Sequence, residues 1–145
     1  MRKLICMLVI LLTAICLSSC RHAEEYELLH PAHEISSLSI AAVSFDENGL
    51  LFCEDRVTVA DADAFMRDFR EVDCYTYYGD PIGISAEDTG ANVIRITYLN
   101  EDYELIYWNG QAEYTVAGGL RNHVGYSVFD EHQFESLTEK YMIQE

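Results

Sequence analysis

Two thiols are the first residues whose type and spacing suggest chemistry. A disulfide between Cys53 and Cys74 would close a loop and, in the chain-entropy picture, contribute about 3 kcal/mol in an oxidising compartment. Read the other way, both are buried thiols that pack as small apolar groups. Spacing alone does not bring two Cα atoms within ~7 Å. Tyrosine, with ten residues, is the second candidate group. Tyr75 and Tyr77 alternate onto one face of a strand, and so do Tyr103 and Tyr107, opposite Trp108. Left on the surface, Tyr75, Tyr77, Tyr103 and Tyr107 would form a recognition face for protein or sugar. Turned inward, the same rings would fill a sheet–helix interface with hydroxyls at its rim.

Other polar constellations are weaker. The pairs Glu54-Asp55, Glu87-Asp88 and Glu101-Asp102 offer the carboxylates a glycoside hydrolase needs, but adjacent acids in turns are ordinarily solvated. His30 and His33 stand three apart with Pro31 between them, which prevents a regular helix from holding both rings on one face. No metal site is read there. Asp61, Asp63 and Asp68 imitate a calcium loop, yet Met66 occupies the position that needs glycine and Val72 the position that needs glutamate. Nucleophile elbow, zinc-protease and phosphate-loop motifs are absent from the sequence. No cofactor is implied, and the balance leans away from an enzyme.

The elements that must position these residues follow from periodicity. Alternation over residues 35–45, the turn Asp46-Glu47-Asn48-Gly49 and a returning strand over 50–53 make a hairpin, and a short extended stretch follows at 57–59. Asp61 caps a helix whose apolar stripe is Ala62, Phe65, Met66, Phe69 and Val72. A strand at 74–78 and a loop at 79–90 come next. Strands at 92–99, 103–108 and 111–117 follow, with Asn100-Glu101-Asp102 and Asn109-Gly110 as turns, and Gly125 breaks a final strand over 120–129. Asp130 caps a closing helix that buries Phe134, Leu137 and Tyr141, with Gln133 at the capping-box position. The expected fold is therefore α+β: an antiparallel β-meander sheet with two amphipathic helices packed on one face and the other face wet.

The first twenty residues give an address. Arg2 and Lys3 precede an apolar run over 4–17, which as a helix spans only about 21 Å, too short for a ~30 Å hydrocarbon core. That is the build of an export signal. The run ends Leu17-Ser18-Ser19-Cys20, which resembles the lipobox of bacterial lipoproteins. The resemblance implies cleavage after Ser19 and a lipid on Cys20, and two acyl chains suffice for stable anchoring. The whole chain, with its meander-plus-helix pattern, is similar to small Firmicutes-type lipoproteins, which implies a location and no activity. The organisation expected is a signal over 1–19, a lipidated Cys20 with a polar tether over 20–33, and one globular domain over 34–145. The site is the extracytoplasmic face of the cell membrane, or the outer membrane in a cell with two.

Charge narrows the partner. Past residue 19, seven basic residues face twenty-five acidic ones, a formal charge of −18. Nucleic acid is excluded as a partner, since phosphate binding needs a basic surface. An anionic membrane is repelled, so the lipid must make the membrane contact. The favoured partner is a basic envelope protein or peptide. The expected role is a non-enzymatic binding module. The alternatives are a small carboxylate-dependent envelope hydrolase and a structural subunit of an envelope complex.

Overall fold

The computed structural model describes residues 25–77, 83–109, 112–116, 119–122 and 126–143. The signal expected over 1–19, Cys20, Tyr78, Pro81, Gly110, His123 and Gly125 lie outside the described residues, as do the side chains of 112–116, 119–122 and 126. The elements in chain order are β1 (Ile35–Phe45), β2 (Leu51–Thr58), α1 (Ala62–Phe69), β3 (Cys74–Tyr77), β4 (Asn92–Tyr98), β5 (Tyr103–Tyr107), β6 (Ala112–Val116), β7 (Gly119–Asn122), β8 (Tyr126–Phe129) and α2 (Glu131–Met142). The class is α+β, with every pairing antiparallel.

Among the described residues, six strands form one sheet in the order β2-β1-β4-β5-β6-β7, and β3 pairs only with β8 in a second, two-stranded sheet. Two details therefore differ from a simple meander. The chain leaves the sheet after β2 and returns so that β4 lies against β1, and the segment expected as one last strand divides between the two sheets. β1 thus has a strand on each edge and an apolar cluster on each face, and residues 38–43 are all buried.

One cluster joins Leu38 and Ile40 of β1, Ile94, Ile96 and Tyr98 of β4 and Ile106 of β5 to both helical stripes, Phe65, Met66 and Phe69 with Phe134, Leu137 and Tyr141. Phe65 packs edge-on to Tyr141 at 4.9 Å, and Phe129 lies tilted on Phe134 at 5.4 Å. The opposite face, expected to be wet, carries a smaller apolar cluster of Ala41, Val43, Val93, Leu105 and Tyr107. Beside it runs a polar row across three strands. Ser39 Oγ donates to Asp55 Oδ1 at 3.0 Å, and Arg95 Nη1 donates to Asp55 Oδ2 at 2.7 Å.

Local signals are realised where they were read. Asp61 accepts from the Ala64 amide at 2.8 Å, and Asp130 from the Gln133 amide at 2.9 Å. Removal of such a cap costs about 1 kcal/mol. Gln133, however, does not complete a capping box. Its side chain accepts from the Asp73 amide at 2.8 Å and donates to Asp73 Oδ2 at 3.0 Å, which ties the start of α2 to the entry of β3.

Candidate functional site

The tether expected over residues 20–33 is corrected for 25–33. Tyr26, Leu28 and Leu29 pack against the main core, and Tyr26 sets its ring 5.7 Å from Phe69 and 5.6 Å from Phe129. The acidic neighbours Glu25 and Glu27, with Pro31, hide this apolar triplet from a reading of composition.

The segment converges on a carboxyl that sequence reasoning missed. Glu104 of β5 has no solvent exposure. It accepts from the Tyr26 hydroxyl at 2.8 Å, from the Leu29 amide at 3.2 Å and from the Tyr98 hydroxyl. Burial pushes this carboxyl above its ordinary value, against the opposing pull of the three hydrogen bonds and of His30. The signal was present in the alternation: Glu104 shares its strand face with Ile106. Two residues earlier, Asp102 is also buried and meets His30 Nε2 at 2.7 Å and Asn100 Nδ2 at 2.7 Å. Because Glu104 is sealed from solvent with both oxygens engaged, it meets no substrate as seated.

The candidate residues are dispersed. Cys53 and Cys74 are not bridged. Cys53 lies with the smaller cluster, its sulfur 3.4 Å from the Tyr107 hydroxyl, whereas Cys74 is in the main core on the other side of the sheet. Their positions on opposite faces leave the possible bridge unformed. The four tyrosines do not make one surface. Tyr75 and Tyr77 are exposed on β3, Tyr103 is half-buried, and Tyr107 is buried at 1 % exposure. Tyr103 and Tyr107 do share a face, but that face is apolar core. Tyr103 there also carries the Arg95 guanidinium 6.0 Å from its ring centre.

A concave site appears where none was singled out. A cleft of about 380 Å³ opens between the 3-10 turn Ala86–Asp88 and α2. Five carboxylates line it, Glu87, Asp88, Glu131, Glu135 and Glu139, against one cation, Arg56. Trp108 and Met142 supply its apolar wall. Three elements position these groups. Ser85 caps the 3-10 turn and holds Asp88 Oδ2 at 2.7 Å through its amide. Helical spacing places Glu131, Glu135 and Glu139 on one face of α2, one turn apart. The pairing of β1 with β2 slips between Ile40 and Ala41, and Arg56 is the extra residue, donating to Asn92 Oδ1 at 2.9 Å. Asn92 in turn donates to Thr138 Oγ1 at 3.0 Å, so the cation is tied to α2. This arrangement suits a cationic group, since five carboxylates and an indole line one cleft.

Among the described residues, no group of three His, Cys, Asp or Glu side chains is placed to hold a metal ion, and no helix is long and apolar enough to cross a membrane. The chain matches no protein-family model, no curated protein and no solved structure.

Proposed function

We propose that this chain is a lipid-anchored, extracytoplasmic binding module that takes a basic segment of an envelope protein or peptide into the acidic cleft beside α2. The cleft carries the reading: five carboxylates line it together with one indole and one guanidinium. The mature charge of −18 supports it by raising the local concentration of basic partners. The lipobox-like run Leu17-Ser18-Ser19-Cys20 supports the address. A lysine or arginine side chain entering the cleft lays its aliphatic stem along Trp108 and Met142 and its charge among Glu131, Glu135 and Glu139. Tyr75 and Tyr77, exposed on β3, offer a second contact area for the same partner.

Two measurements test the two halves of the proposal. Fatty-acid labelling of cells expressing the chain should mark wild type and not Cys20→Ala, and the variant should leave the membrane fraction. Equal labelling of both removes the anchor. Calorimetric titration with an arginine-rich peptide should give binding at low salt that weakens at least about tenfold at high salt. Absence of binding at low salt removes the cleft's role.

A further inference from the structure

We propose that Arg56 is the specificity-determining residue of the cleft beside α2, where it takes the terminal carboxylate of a peptide that ends in arginine or lysine. The side-chain cation of that last residue then meets the carboxylates of α2. Arg56's role rests on the cleft being the docking site proposed above, and it adds the end of the chain as the feature recognised.

The observation behind it is a separation of opposite charges. Arg56 lines the same cleft of about 380 Å³ as Glu87, Asp88, Glu131, Glu135 and Glu139. Among the described residues, no ion pair joins it to any of the five. Long side chains free to approach an opposite charge gain by pairing with it. Here the charges are held apart by their surroundings. Arg56 Nη1 donates to Asn92 Oδ1 at 2.9 Å, and Asn92 is fixed in turn by its bond to Thr138 at 3.0 Å. Asp88 Oδ2 accepts from the Ser85 amide at 2.7 Å and from its hydroxyl at 3.1 Å. Glu131, Glu135 and Glu139 are fixed to the line of α2 by helical spacing.

The tie to Asn92 leaves most of the guanidinium for a ligand. Arginine has five N–H donors in a planar fork. Among the described residues, the one acceptor for this guanidinium is Asn92 Oδ1, which carries no charge. Gly90 backs the group without a side chain, and a Cβ there would lie 3.7 Å from Nη2. A fork with its charge unmatched fits a carboxylate bidentately, as a lysine at this position would not. The cleft therefore offers one anchor for an anion and several for a cation. An internal basic segment supplies the cation only. A C-terminal arginine or lysine supplies both in a single residue. The cleft's volume lies at the small end of the roughly 300–1,000 Å³ of ligand sites, which suits a chain end.

The test is a titration of the full-length chain in detergent, followed by the emission of Trp108 in the cleft. Two peptides of one sequence ending in arginine are compared, the first a free acid and the second an amide. Attraction to an acidic chain by itself favours the amide, which carries one more net positive charge. A carboxylate anchored on Arg56 reverses that order, and wild type should bind the free acid at least about tenfold more tightly. Arg56→Gln removes the anchor and should bind both peptides alike. Wild type that binds the two equally, or the amide more tightly, overturns the role of Arg56 and leaves the acidic cleft standing. A preference for the acid that persists in Arg56→Gln overturns it too. Binding of neither peptide at low salt removes the role of Arg56 together with the cleft.

Discussion

Asp68 is a residue of α1, but its carboxylate is held by α2: Lys140 Nζ and the Tyr141 hydroxyl both donate to it at 2.7 Å. The hydrogen bond from Lys140, then that from Tyr141, keep this carboxyl below its ordinary value. Burial, with Asp68 beside it, pushes the Tyr141 phenol up to about 12. Glu104 is the opposite case. It is the same chemical group with three donors rather than two, but water is excluded and no Lys or Arg touches it among the described residues, and its value rises. Solvent and a cation decide the direction. The sign for Asp68 is accordingly reversed. Its contribution to stability is present above the ordinary 3.8 and is lost as pH falls through the lower folded-state value. Thermal unfolding across an acid series should show Asp68→Asn with a flatter decline below about pH 4 than wild type. Parallel curves would mean that the helix-to-helix clamp contributes nothing to acid stability.

At the scale of elements, the β4–β5 turn carries the clearest backbone strain. Glu101 sits at φ 71, the left-handed region that an L side chain occupies at a cost. Asn100 holds the turn closed, with its side-chain oxygen accepting from the Asp102 amide at 3.1 Å. Glu101→Gly should raise stability by about 1 kcal/mol in chemical denaturation, and a loss of stability would contradict this account of the turn. Elements specified by neighbouring residues were legible in the sequence: the Asn48-Gly49 hairpin with Gly49 at φ 76, both aspartate caps, and both helical stripes. What was not legible depends on partners distant in the chain. The pairing of β4 with β1 and the separation of β3 with β8 follow from which faces can be buried, and no local pattern encodes that choice. Arg56 enters the cleft only because the β1–β2 register slips. Tyr26 and Leu29 read as tether because their docking partner, Glu104, lies more than seventy residues away. The cleft escaped notice for the same reason: Glu87 and Glu135 belong to segments that meet only in the fold.

At the scale of the molecule, acidity and anchoring belong to one account. A chain of charge −18 does not adhere to an anionic surface, so a lipid on Cys20 would hold it there while its carboxylates face the envelope space. Under the proposed function, long-range attraction would gather basic partners, and the cleft beside α2 would give them a place to dock. Trp108 is the sole tryptophan of the chain and lines that cleft, so its emission reports occupancy directly. The most direct measurement is a fluorescence titration of the full-length chain with an arginine-rich peptide, set beside the Glu135→Gln, Glu139→Gln double variant. Both substituted side chains are exposed, so the fold is retained. The account predicts a saturable change in Trp108 emission for wild type, suppressed by salt and weakened at least about tenfold in the variant. Unchanged emission, or a variant that binds as tightly as wild type, would contradict it.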